Sequence, residues 1–195
     1  MDENNEIIES KEFDEAVQNG GNQYSADVEK LNHDIYHKIV LNEYIYLQPF
    51  HLNNKIDDII AKKLRDKIEG RCIKMGYVLP GSTKILSRSL GVMNNANFNG
   101  ITTYKVNYSA EVCNPAIGQI IECIVGYIDK SEVICYIDTQ DKSPIEIYLY
   151  KHHHVSNVEF SLLKKDDIVK IKVAGTKFNY RDTQIIAIAQ FLNKV

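Results

Sequence analysis

No stretch of this 195-residue sequence stays apolar for the roughly 20 residues that a bilayer span needs, so no membrane-crossing helix is expected. The first ten residues, MDENNEIIES, lack the basic start of a secretory leader, and none is expected there. Cysteine is scarce. Cys72, Cys113, Cys123 and Cys135 stand far apart with no C-x-x-C pair, which removes the usual zinc and redox spacings. Their apolar neighbours predict buried free thiols in a reducing compartment. The chain also lacks a glycine-rich phosphate loop, a G-x-S-x-G elbow and an H-E-x-x-H pair. Ser, His and Asp occur, but no spacing brings them together. No catalytic residue, no metal site and no cofactor is expected.

What is present is an ordinary globular composition with an uneven charge. Hydrophobic residues make up 44% and charged residues 25%, and the net charge is -3. Residues 1–34 hold ten acids against Lys11 and Lys30, leaving 21 of the 23 basic and 16 of the 26 acidic residues for the body. An acidic tail on a mildly basic body suits work near a polyanion, and equally suits a solvated tail on an unremarkable surface. With few large apolar residues, residues 1–35 cannot offset the entropy of ordering and read as a largely disordered extension. A short helix over residues 7–17, formed on a partner, is compatible with the pattern.

The body is organised around residues 103–125. From Tyr104 to Val112 apolar or aromatic residues take every second place, with Lys105, Asn107, Ser109 and Glu111 between them. That is a strand with one packed and one wet face. Pro115 removes a ladder donor and Gly118 relaxes the backbone, so one sheet should end there and another begin. Before it, residues 38–47 read as a strand ended by Pro49. Asn53 and Asn54 are placed to cap a helix in which Ile56, Ile59, Ile60 and Leu64 recur at helical spacing, with Gly70 as its stop. Asp57 and Asp58 in the first turn, and Lys62, Lys63, Arg65 and Lys67 toward the end, suit the helix dipole. Residues 71–79 read as a strand with a glycine inside it, and residues 94–100 as an exposed loop. The first unit is therefore α+β, a helix on an antiparallel sheet.

The second unit reads as all β. Residues 119–128 and 132–138 form a hairpin over residues 129–131. Ile120, Ile121, Cys123, Ile124, Val125 and Ile128 are expected to fill both faces of its first strand. Residues 145–150 and 168–173 alternate, residues 175–181 turn, and residues 184–192 make the last strand. Five short strands in about 75 residues match a five-stranded Greek-key barrel of the OB type.

On these residues the chain resembles the stalk subunit of multisubunit DNA-directed RNA polymerases, the subunit-seven family of eukaryotes and its archaeal counterpart, with relatives in large DNA viruses. The resemblance runs from about Tyr36 to the C-terminus. Its most specific part is Ile68-Glu69-Gly70-Arg71-Cys72 after the helix, followed by Gly76-Tyr77-Val78. A second part is Tyr104-Lys105-Val106 through Tyr108, Ala110 and Val112 to Pro115 and Gly118. A third is Tyr150-Lys151-His152 with Phe160. The acidic extension departs from the family. So does the second barrel strand, where Glu132-Val133-Ile134-Cys135 stands in place of glycine followed by an aromatic.

The resemblance implies a truncated RNP-like tip domain at 36–114 and an S1-type OB barrel at 115–195. It implies a non-catalytic subunit that docks on the polymerase core near the clamp and presents the barrel to nascent RNA. Its partners would be the large polymerase subunits, a small helical partner of the subunit-four type and single-stranded RNA. Its place would be the nucleus or, for a viral source, virion and cytoplasmic factory. The positions carried over for docking are Ile68, Glu69, Gly70, Cys72, Gly76, Tyr77, Pro80 and Gly81. For RNA the residues offer Lys130, Tyr136, Tyr148, Lys151, His152, Lys170, Lys172, Lys177 and Arg181, since barrels of this type stack bases on aromatics while cations track phosphates. Lysines alternating along an outward strand also serve simply to keep a barrel soluble. The tract His152-His153-His154 invites a metal reading, but neighbours on an extended strand face opposite ways and no other ligand set supports them. They read as solvated or RNA-contacting. The alternative for the whole chain is a free-standing S1/OB RNA-binding protein of translation or RNA decay.

Overall fold

The structure is a computed structural model that describes residues 35–93, 100–137, 143–155 and 157–195. The extension of residues 1–34, its expected helix and most of the expected loop at 94–100 lie outside the described residues. Residues 35–195 hold together as one unit.

The first sheet is built on β6 (Thr102–Cys113), whose alternation is the one read from the sequence. It pairs antiparallel along its whole length with β1 (Tyr36–Leu47), from Tyr36 opposite Cys113 to Leu47 opposite Thr102. Its other edge is shared by β3 (Gly76–Val78), β4 (Lys84–Arg88) and β5 (Val92–Met93), and β2 (Cys72–Ile73) pairs with β3. Helix α1 (Ile56–Ile68) lies on one face of this sheet. It buries Ile60, Leu64 and Ile68, spaced four apart, against Ile45, Leu47, Tyr104, Val106, Tyr108 and Val112. Each such side chain contributes about 1.5–3 kcal/mol by leaving water.

Two expectations for this region need correction. Residues 71–79 are not one strand with a bulge. Gly76, at φ 131°, lets the chain fold back so that Cys72 pairs with Tyr77 and Ile73 with Gly76, a tight hairpin turning at Lys74 and Met75. The helix is not capped by Asn53 or Asn54. Asn53 instead accepts from the Lys55 N–H at 2.8 Å, and Lys55 takes the cap position with no side-chain bond. In the polar stretch after Pro80, the short strands β4 and β5 both find partners on β6. The helix stop is as expected: Gly70 has φ 68°, and its N–H donates to the Val78 carbonyl.

The second sheet is a closed barrel of β7 (Ile120–Ile128), β8 (Glu132–Tyr136), β9 (Ile145–Tyr150), β10 (Ile168–Lys177) and β11 (Ile185–Lys194). The order around the wall is β7-β8-β9-β11-β10, closing on β7, with the β9–β11 pair parallel and the rest antiparallel. That is the order of an OB-type barrel. Its core holds Ile121, Cys123, Val125, Val133, Cys135, Ile147, Leu149, Val169, Ile171, Val173, Ala187 and Phe191. The chain as a whole is mostly β with few helices. Two readings change here. β7 does not fill both faces, since Ile120 and Ile128 are exposed and Glu122 is buried. And β10 runs past the expected turn to Lys177, because irregular pairing at Lys170/Ile171 and Val173/Gly175 bends it around the wall without losing its partner.

The sheets meet through more than the connecting residues. The Cys72 N–H donates to the Asp182 carbonyl at 2.7 Å, and the Arg181 N–H donates to the Cys72 carbonyl at 2.8 Å. Ile35, Cys72, Tyr77 and Cys113 pack into the same apolar cluster as the barrel core.

Candidate functional site

Two surfaces follow from this arrangement. The first is the hairpin β2–β3 with the residues that flank it. Ile68, Cys72, Gly76 and Tyr77, all expected to dock, are buried inside the chain. Their contribution is to shape the rim. Burial holds the Cys72 thiol up at about 11 and the Cys113 thiol at about 12, so both stay protonated. The Glu69 carboxylate accepts from the Gly81 N–H at 3.0 Å and from the Thr83 N–H at 3.3 Å, which fixes the loop after Pro80. The exposed rim consists of Lys74, Met75, Pro80 and Gly81, with Met75 50% exposed. Lys74 and Met75 were missed in the sequence because a continuous strand offered no outward turn there.

The second surface is the outer wall of the barrel. Register places side chains in rows that cross the strands. Tyr136, Glu146, Ile186 and Lys177 form one row on β8, β9, β11 and β10. Tyr127, Ile134, Tyr148 and Ile188 form the next. Glu132 stands opposite Tyr150, and Lys172 opposite Gln190. Of the expected RNA-contacting residues, Tyr136, Tyr148 and Lys177 therefore fall in these two rows, while Lys172 lies further back along β10. Tyr150 and Ile186 were missed, although the alternation of β9 and β11 was sufficient to find them.

Down β9 the aromatic rings form a ladder. Tyr148 and Tyr150 stack with centroids 6.5 Å apart, and Tyr150 lies 5.5 Å from the His152 ring. The Tyr136 ring covers the backbone of Gly126, where any Cβ would collide with it. Burial pushes the Tyr148 hydroxyl up to about 12, helped by the neighbouring Glu146 carboxylate. Tyr136 is raised by the same causes, burial first and then Glu146. Register sets Tyr136 directly across from Glu146, and Tyr148 follows Glu146 by two residues on the same face of β9.

The other candidates lie elsewhere. Lys170 is ion-paired to the buried Glu122 at 3.1 Å. Arg181 sits at φ 74° in the loop bonded to Cys72, with its guanidinium 5.6 Å from the Tyr180 ring. Lys130 and Lys151 flank the wall, in the β7–β8 turn and just after β9, and the Lys151 N–H donates to the Ser131 carbonyl. The three histidines separate. His152 is exposed, whereas His154 is buried, with Nδ1 2.8 Å from the Tyr150 carbonyl and Nε2 accepting from the Phe191 N–H at 2.9 Å. That pairing fixes the neutral ring with its proton on Nδ1. His154 stacks on Phe160, centroids 4.5 Å apart, and ties the connector α2 (Val158–Ser161) to β11. Among the described residues no three His, Cys, Asp or Glu are grouped to hold a metal ion, and no helix is long and apolar enough to cross a membrane. All four cysteines are free and buried, as expected.

No protein-family model matches the chain. It is 25% identical over 154 residues to DNA-directed RNA polymerase II subunit RPB7 of Glycine max, an alignment covering 71% of this chain and 83% of the relative. It is 24% identical, with the same coverage, to DNA-directed RNA polymerase II subunit 7 of Arabidopsis thaliana. Against DNA-directed RNA polymerase II subunit rpb7 of Schizosaccharomyces pombe it is 24% identical over 162 residues, covering 74% of this chain and 88% of the relative.

Proposed function

We infer that the chain is a member of the subunit-seven stalk family of multisubunit DNA-directed RNA polymerases, an accessory subunit that works in transcription. The observation that carries this is the likeness to relatives named as that subunit, which extends over most of their length and spans both sheets. The order of the barrel strands supports it.

The finer reading is ours. Residues 36–114 act as an RNP-like tip and residues 115–195 as an S1-type barrel, with residues 1–35 as an extension. The tip docks on the polymerase core near the clamp through the exposed rim of Lys74, Met75, Pro80 and Gly81, held in shape by Ile68, Glu69, Gly70, Cys72, Gly76 and Tyr77. A small helical subunit of the subunit-four type accompanies it. The barrel presents Tyr136, Tyr148 and His152 to single-stranded nascent RNA, each stacked base being worth about 1–3 kcal/mol. Lys130, Lys151, Lys172 and Lys177 track the phosphates. The subunit carries no active site of its own. It works in the nucleus or, for a viral source, in the virion and cytoplasmic factory.

Affinity capture of the tagged full chain from native extract tests the assignment. The largest polymerase subunits should come with it in stoichiometric amounts. Recovery of the chain without any polymerase subunit would favour a free-standing RNA-binding protein instead.

A further inference from the structure

We propose that the outer wall of the barrel reads bases as well as stacking them, and that Glu146 selects guanine over uracil. This rests on the reading of the wall as a surface for single-stranded RNA.

Register sets Glu146 directly across from Tyr136, and Tyr148 follows it by two residues on the same face of β9. Glu132 faces Tyr150 across the strands and adds a second carboxylate. The aromatic strip therefore carries two carboxylates, and Lys177 stands two strands away on β10. An ionised carboxylate has about four lone-pair sites and no donor. It suits a ligand that brings donors.

The four bases differ in the donors they bring. Their Watson–Crick edges are open in single strands, and protein groups bind them there. Guanine sets N1–H beside its N2 amine, two adjacent donors that match the two oxygens of one carboxylate. Adenine and cytosine bring one amine beside a lone pair. Uracil has a single N3–H between two carbonyl oxygens, which a carboxylate repels. Glu146 therefore ranks guanine first and uracil last.

The placement of the groups agrees with this chemistry. Glu146, Ile186 and Lys177 lie in one row on adjacent strands. Lys177 is thus two strand spacings from Glu146, about 9–10 Å. That is the order of a nucleotide's reach from its phosphate to its base edge. A phosphate on Lys177 puts the edge at Glu146, with Ile186 beneath the sugar and the Tyr148 ring beside the base. Ile186 and Ile188, 46% and 43% exposed, form an apolar floor between the cation and the carboxylate.

The test measures fluorescence anisotropy of labelled RNA heptamers with the full chain. The probes are heptauridine, the same heptamer with one central guanosine, and one with central inosine, which lacks the N2 amine. Guanosine should bind about tenfold or more tighter than uridine, the usual scale for a bidentate base contact, with inosine between. Glu146→Gln should bring guanosine and uridine within about twofold, by weakening guanosine and tightening heptauridine, while leaving the thermal melt unchanged. Equal binding of guanosine, inosine and uridine by the native chain would overturn the proposal and leave the RNA surface standing, as would full discrimination in Glu146→Gln. Failure of every heptamer to bind would overturn the RNA surface and the base preference with it.

Discussion

Replacing Gly76 with alanine puts a methyl carbon into space that β6 already occupies. The new Cβ would fall inside van der Waals contact of the Cys113 carbonyl oxygen, 2.8 Å from Val112 Cγ1 and 2.9 Å from Asn114 Cβ. A carbonyl held in a paired strand cannot swing aside as a lysine tip can. The backbone at φ 131° is also one that side chains other than hydrogen avoid. Strain of that kind costs about 1–3 kcal/mol. Overpacking against a fixed wall adds about 1–3 kcal/mol. Gly76→Ala should therefore lose about 2–6 kcal/mol, a large share of the roughly 5–15 kcal/mol that stabilises a typical domain. Urea unfolding followed by far-UV circular dichroism measures it directly. A loss under about 1 kcal/mol would refute the close approach. Met75→Glu is the contrast, one residue away and half exposed. It should change stability by no more than about 0.5 kcal/mol yet lower capture of the polymerase core. Full capture with Met75→Glu would remove the rim from the docking surface.

Three further outcomes follow from the geometry. The folded pKa values of Cys72 and Cys113, about 11 and about 12, exceed the 9.0 of the unfolded chain. Their contribution is thus complete below pH 9 and is lost as pH rises toward 11 to 12, at about 1.4 kcal/mol per pH unit for each thiol. Urea midpoints should fall across that window and fall less steeply in Cys113→Ala; identical profiles for the two would refute the buried-thiol account. Lys172→Glu with Lys177→Glu should flatten the salt dependence of RNA binding by about 0.7 in log–log slope for each phosphate no longer neutralised, and an unchanged slope would exclude β10 as the phosphate track. His154→Phe keeps a ring against Phe160 but strips the acceptor from the Phe191 N–H, which should cost about 1–3 kcal/mol and speed amide exchange at Phe191. Native-like exchange there would show that the imidazole does not hold β11.

Period-two patterning made β6, β9 and β10 legible, because each has one face in a core, and Val169, Ile171 and Val173 all point inward as their spacing predicts. The apolar spacing of Ile60, Leu64 and Ile68 did the same for α1. The hairpin at Lys74 and Met75 was not legible. Strands of two and three residues leave no alternation to read, and a glycine inside a strand signals a bulge as readily as a reversal. Ile120 and Ile128 misled because composition alone does not say which end of a strand leaves the barrel core. The candidate surfaces were half visible. Tyr136 and Tyr148 declared themselves by alternation, while the separation of Lys170 and Arg181 from them depended on partners distant in sequence, Glu122 and Cys72. His154 gave no sign of being different from His152, since its two hydrogen bonds reach residues 4 and 37 positions away.

The paired hydrogen bonds between Cys72 and residues 181 and 182 have a mechanical meaning. Two sheets strung on a short connector would swing like a flail, and whatever gripped one end would learn nothing of the other. Stitched at a second point far along the sequence, they act as a strut. Torque applied at the Lys74–Met75 corner is delivered to the loop between β10 and β11, at the border of the wall where Lys177 stands.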